Sequence, residues 1–111
     1  MATNDNLGQF EQLILTSVLL LGENAYGATV HERVEELANG KSYSIGAIYT
    51  TLDRLQQKGY VKSWYGGAGP ERGQRTKRYF EIQAAGKKVL EQSQRVASNL
   101  LTAWQGAGGG L

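Results

Sequence analysis

Cysteine is absent from all 111 residues, so no disulfide and no thiolate metal site can form, and the fold must rest on packing. That absence fits a reducing compartment. With 41% apolar residues, a chain of this length can bury one modest core without staples, so one domain is expected. Histidine occurs once, and the stretch His31-Glu32-Arg33-Val34-Glu35 lacks the second His that a zinc-binding helix of this spacing needs. His31 therefore reads as an ordinary helix residue, and no metal is expected. No apolar run reaches the roughly 18 residues of a membrane span. The start, Met1-Ala2-Thr3-Asn4-Asp5-Asn6, is polar and not basic, unlike a secretory signal. A soluble, cytosolic chain with no membrane partner is expected. Phosphate-binding loops are missing too. Gly73-Gln74-Arg75-Thr76-Lys77 has neither the glycine spacing nor the closing Lys-Ser or Lys-Thr pair of a nucleotide loop, and Gly66-Gly67-Ala68-Gly69 opens no helix. No catalytic constellation and no cofactor site emerge, so an enzyme is not expected.

The small net charge of +2 conceals an uneven distribution. Residues 1–40 carry one arginine against six carboxylates, residues 41–80 carry eight cations against Asp53 and Glu71, and the remainder carries three against two. A basic middle third is the electrostatic footprint of a polyanionic partner.

Within that third, Ser44-Ile45-Gly46-Ala47-Ile48-Tyr49-Thr50-Thr51-Leu52-Asp53-Arg54-Leu55-Gln56-Gln57-Lys58-Gly59 has the marks of a capped amphipathic helix. Ser44 suits the N-cap and Gly59 the position after the C-cap, while Ile45, Ile48, Leu52 and Leu55 recur at helical spacing as a buried stripe. Ala47, Thr50, Thr51, Arg54, Gln57 and Lys58 are expected on the other side. Small groups, hydroxyls, an amide and two cations there suit phosphates and base edges in a DNA groove.

Next comes Tyr60-Val61-Lys62-Ser63-Trp64-Tyr65, aromatic and β-branched as strands prefer, and later a second such run, Lys77-Arg78-Tyr79-Phe80-Glu81-Ile82. The eleven residues between, Gly66 to Thr76, are too polar and glycine-rich to pack a core. Arg72 and Arg75, beside Lys77 and Arg78, make this a hairpin with a basic tip suited to a phosphate backbone. A helix followed by a basic hairpin is the winged-helix arrangement.

Upstream, Phe10, Leu13, Ile14, Ser17, Val18 and Leu21 trace one helical face, and Leu15, Leu19 and Leu20 widen it, so this helix is expected to be buried on most sides. After Gly22-Glu23-Asn24, Tyr26, Val30, Val34 and Leu37 share a second helical face that Asn39-Gly40 terminates. The order helix, helix, helix, strand, wing, strand makes the third helix the reading element of a helix-turn-helix. A last helix from about Ala84 to Trp104 gathers Val89, Val96, Leu100 and Trp104, flanked by Leu90, Ala97 and Leu101. So much apolar surface on so small a domain implies packing against a second copy, which suits two-fold symmetric DNA sites; the alternative is that the helix folds back on its own core.

Taken together, Ala25-Tyr26-Gly27, the run from Ser44 to Leu55 with Lys58-Gly59, Gly69-Pro70-Glu71-Arg72-Gly73, Lys77-Arg78-Tyr79-Phe80 and Ala85-Gly86 resemble the PadR family of bacterial transcriptional regulators. The likeness spans about residues 10 to 92, and its joint spacing is more specific than any one piece. It implies a homodimeric winged-helix repressor with Tyr49, Thr50, Thr51 and Arg54 at the DNA, Lys58 nearby, wing arginines on phosphates and the last helix at the dimer contact. It also implies, where an effector exists, a small aromatic or drug-like molecule near the dimer interface. Trp64 and Trp104 could line such a pocket, but they read first as core or interface fillers, because Trp is enriched there for its area alone. Gln83 stands where relatives usually carry Thr, a poorer cap for the last helix, and Gln74 where they often carry Gly or Arg.

The fold expected is mainly α with a small β-hairpin (α+β): a flexible arm over 1–8, a winged helix-turn-helix over 9–82, a dimerisation helix over 83–105 and a flexible tail over 106–111. The expected DNA contacts are Ser44, Ala47, Tyr49, Thr50, Thr51, Arg54, Lys58, Arg72, Arg75 and Lys77, and the expected dimer contacts Val89, Val96, Leu100, Leu101 and Trp104. Double-stranded DNA and a second copy of the chain are the expected partners. The alternative function is a winged helix used as a protein-interaction module for an acidic partner.

Overall fold

Among the described residues, three α-helices and a β-hairpin enclose one core, and a fourth α-helix runs outward from it. The computed structural model describes residues 6–66 and 76–109. In chain order these form α1 (Gln9–Leu21), a single 3₁₀ turn (Gly22–Asn24), α2 (Gly27–Leu37), α3 (Ile45–Gln57), β1 (Val61–Gly66), β2 (Lys77–Ile82) and α4 (Ala84–Gly106). The class is the expected one, mainly helical with one antiparallel hairpin.

Each helix end has a local cause. The Glu11 carboxylate accepts the Gly8 N–H at 3.0 Å ahead of α1, and the Thr29 hydroxyl accepts the Tyr26 N–H at 3.0 Å at the start of α2. Ser44 caps α3 as its sequence position implies, its hydroxyl oxygen accepting the Ala47 N–H at 3.0 Å. Gly59, at φ 81°, closes α3 with paired bonds from Gly59 N–H to the Gln56 carbonyl and from Tyr60 N–H to the Leu55 carbonyl, both 2.9 Å. Asn39, at φ 60°, ends α2 in the same way, with the Gly40 N–H reaching the Glu35 carbonyl.

The core is built on α1. Ile14, Leu15 and Val18 meet Val30 and Val34 of α2, Ile48, Leu52 and Leu55 of α3, and Val61, Phe80 and Ile82 of the hairpin. Ser17 is buried among them because its hydroxyl donates to the Leu13 carbonyl at 2.7 Å. Leu7 also enters the core, so the expected arm of residues 1–8 is anchored at that point. Four expectations of burial fail at the margins. Leu19 and Leu20 on α1 are exposed, since elements cover only one side of the helix. Leu37 and Ile45 are exposed because each lies in a terminal turn beyond its neighbours' reach.

The strands pair in register Val61 with Ile82 through Gly66 with Lys77. The link before α2 joins them: the Phe80 N–H donates to the Ala25 carbonyl at 2.8 Å, and Tyr26 bridges Tyr79. Gly86 lets α4 pass close to the hairpin, since a β-carbon there would overlap the Tyr60 carbonyl oxygen. Gln83 takes the N-cap position without a side-chain cap, and its backbone N–H instead bonds the Tyr60 carbonyl at 2.8 Å.

Only the first part of α4 is covered. Val89, expected at a dimer interface, is instead 5% exposed and packs with Leu90 into the chain's own core. Beyond it Val96, Leu100, Leu101 and Trp104 are all exposed. The radius of gyration, 16.1 Å, exceeds the roughly 13 Å of a compact chain near this length because of that projection. Gly106 is helical rather than part of a tail, and Gly108, at φ 87°, turns the chain so that Gly109 lies against the Trp104 ring.

Candidate nucleic-acid interface

The buried stripe of α3 fixes which side faces out. With Ile48, Leu52 and Leu55 fully buried, Thr50, Arg54 and Gln57 are exposed on the opposite side, and Ser44 and Tyr49 are exposed toward the helix start. Ala47 is half-buried. Thr51 departs from expectation: it is 5% exposed and turned inward. Three residues after Ile48 and four before Leu55, it falls inside the apolar stripe, so the hydroxyl is unavailable to a groove-bound partner.

Tyr49 is positioned by α2. A β-carbon at Gly27 would overlap the Tyr49 hydroxyl and ring, so this glycine is what admits the ring to the α2 N-terminus. Tyr49 remains 37% exposed beside Tyr26, Ala28, Tyr65, Thr76, Lys77 and Arg78, which line a shallow crevice with it. Lys77 is exposed at the base of the hairpin with its ammonium 4.2 Å from the Tyr26 ring centroid. Lys58 is exposed as well, and its ammonium pairs with Glu11 of α1 at 3.4 Å. Arg72 and Arg75 lie outside the described residues.

Arg78 does not join the exposed cations. Its guanidinium meets the Asp53 carboxylate at 2.8 Å and donates to the Gln56 side-chain oxygen at 2.9 Å and to the Ser63 hydroxyl at 3.2 Å. It also lies 4.8 Å from the Phe80 ring centroid. The Ser63 hydroxyl in turn donates to Gln56 at 2.6 Å. The hairpin and α3 are thereby tied by side chains that sequence reading did not assign. Pairing of Ser63 opposite Phe80 carries the clue, for it sets Ser63 and Arg78 on the hairpin face turned toward α3.

His31 has a structural place. Its ring nitrogen lies 2.6 Å from the Tyr43 carbonyl oxygen and 3.3 Å from the Glu35 carboxylate, which accepts the Tyr43 N–H at 3.1 Å. These contacts hold the link between α2 and α3. Among the described residues no cluster of ligating side chains suits a metal ion, and no helix is long and apolar enough to cross a membrane.

Trp64 and Trp104 occupy separate regions. Trp64 stacks on Tyr79, centroids 6.1 Å apart, in an open groove of about 610 Å³ whose walls include Val18, Leu19, Ile82 and Lys87. Trp104 stands on the exposed face of α4.

Comparisons agree on the fold. A PadR family transcription regulator from hypervirulent Clostridium difficile R20291 superposes with a TM-score of 0.73 at 22% identity, over 88% of this chain and 96% of that one. A PadR-like transcriptional regulator from Bacillus cereus strain ATCC 14579 gives 0.71 at 20% identity, over 87% and 88%. Bacillus subtilis PadR, solved in complex with operator DNA, gives 0.60 at 24% identity over 74% of this chain and 44% of that one. No curated protein sequence matches the chain. The sequence model of the PadR-like family of transcriptional regulators matches residues 17–92, which takes in the helix-turn-helix, the hairpin and the start of α4, and so the chain belongs to the PadR-like family.

Proposed function

We propose that this family member is a sequence-specific DNA-binding repressor, a homodimer on a palindromic operator that blocks transcription by occupancy. The observation that carries the reading is the outward face of α3, where Thr50, Arg54 and Gln57 stand free of the core with Lys77 exposed at the hairpin base. A hydroxyl, a guanidinium and an amide on a helix of this exposure are the groups that read base edges in a major groove. Ser44, Ala47, Tyr49 and Lys58 border that face, and Arg72, Arg75 and Lys77 are assigned to the flanking phosphates. The operator DNA bound by Bacillus subtilis PadR supports the same use of the fold here.

Dimerisation is supported by α4, whose Val96, Leu100, Leu101 and Trp104 are more than half exposed. The groove between α4 and the N-terminal end of α1, lined by Leu7, Gln12, Val96 and Leu100 among others, gives a second copy a place to seat. Relief of repression by a small aromatic effector near that interface is the finer part of the reading, supported by Trp104 on the same face. The absence of a spanning helix among the described residues is consistent with action in the cytoplasm.

The test is a titration of the protein into labelled DNA from the promoter upstream of its own gene, beside a shuffled duplex, at two salt concentrations. Tight binding to the promoter alone, weakening as salt rises, is expected. Equal weak binding to both would leave only non-specific attraction and favour an acidic protein partner.

A further inference from the structure

Asp53 places a carboxylate on the outer side of α3, next to Arg54, on the helix proposed to meet a polyanion. Its side chain is 55% exposed, whereas that of Arg78, its partner at 2.8 Å, is only 21% exposed. The cation is thus largely withdrawn between the Phe80 ring and the Gln56 and Ser63 side chains, and the anion is the more open member of the pair. A guanidinium so engaged has its donors committed to protein acceptors, and a planar fork of this kind can serve several acceptors at once where an ammonium serves one point.

We infer that Arg78 promotes DNA binding without touching DNA: it is a positioning residue that cancels the Asp53 charge and ties Gln56 and the hairpin to α3. This inference rests on the proposed function. An uncancelled carboxylate on the reading helix would repel the phosphates that Lys77 and the wing arginines attract, and the repulsion would act on every sequence alike. Sequence pattern hides this role, because a lysine-arginine pair at the base of a basic hairpin reads as two phosphate contacts. The geometry separates them: Lys77 is exposed, whereas Arg78 is half-buried with its guanidinium engaged by Asp53, Gln56 and Ser63.

The experiment compares wild type, Arg78→Ala, Asp53→Asn and the double variant for affinity to the promoter duplex, with thermal melting recorded for each. Arg78→Ala is expected to weaken binding about tenfold, from one uncompensated charge near the phosphates. Asp53→Asn should bind within about threefold of wild type, and the double variant should recover most of the loss although the ties to Gln56 and Ser63 stay broken. A purely structural clamp would give no such rescue, since the double variant lacks it equally. Wild-type affinity in Arg78→Ala, or an unrescued loss whose salt slope falls by about one, would overturn the inference and make Arg78 at most a phosphate ligand. Should Arg78→Ala melt too low to assay, Arg78→Lys keeps the test open: it retains a charge beside Asp53 and should bind within about threefold of wild type, and a tenfold loss would overturn the masking role. Failure of the wild type itself to prefer the promoter would instead sink the proposed function, so the two failures are distinct.

Discussion

Gly27 and Tyr49 form an interlocked pair across the helix-turn-helix: the ring of Tyr49 occupies the space that any side chain at Gly27 would need. The relationship joins the first turn of α2 to the N-terminal part of α3. Because Gly27 is buried, the ring cannot simply swing away without uncovering it.

Gly27→Ala is therefore expected to destabilise the fold by about 1–3 kcal/mol through overpacking. It should also weaken promoter binding by displacing Tyr49. Denaturant unfolding checks the first effect and a DNA titration at a temperature where the variant is folded checks the second. Unchanged stability would show that the ring has another place to lie.

Arg54 and Lys77 should differ in kind. Arg54→Ala is expected to lose about 1–3 kcal/mol of discrimination between operator and altered operator, as for a side chain that reads a base. Lys77→Ala should weaken all duplexes alike and lower the salt slope by about one, as for a phosphate contact. Affinities for matched and mismatched duplexes over a salt series separate the two patterns. Equal behaviour of both variants would contradict the assignment.

The two ends of α4 should respond oppositely. Leu100→Lys, on the exposed part, should leave the protomer folded but shift sedimentation from dimer to monomer and weaken operator binding. Leu90→Ala, in the buried part, should lower the melting temperature at a cost of about 2–5 kcal/mol. A monomeric wild type at micromolar concentration would remove the basis for the first expectation.

Ser44→Ala removes the acceptor that caps α3 and should cost about 0.5–2 kcal/mol. Ser44→Asp should retain most of that stability yet bind DNA more weakly, since it adds a negative charge to the helix proposed to meet the phosphates. Melting curves and titrations on the pair distinguish the capping role from a direct DNA contact.

Much of this architecture was legible in the sequence because its signals are local. Ser44 and Gly59 bound α3 as their residue types demand, Asn39-Gly40 ends α2, and the aromatic runs flanking the glycine-rich stretch pair as a hairpin. The errors have a common physical origin. The chemistry of Thr51 suits the outer face although its angular position places it in the stripe, and Val89 shares a helical face with Val96 and Leu100 although only tertiary packing decides where α4 leaves the core. Leu19, Leu20, Leu37 and Ile45 show that periodicity gives a face but not the extent to which neighbours cover it. The tie among Arg78, Asp53, Gln56 and Ser63 spans residues 25 positions apart in the chain, and no local pattern announces it.

The most direct test of the central claim is a hydroxyl-radical footprint of the protein on its own promoter, with wild type and Thr50→Ala/Arg54→Ala side by side. The account predicts two protected half-sites of inverted sequence, their centres one helical turn of about 10–10.5 base pairs apart or a multiple of it, lost in the double variant. Diffuse protection with no symmetry, unchanged by the double variant, would contradict reading of DNA by the outer face of α3.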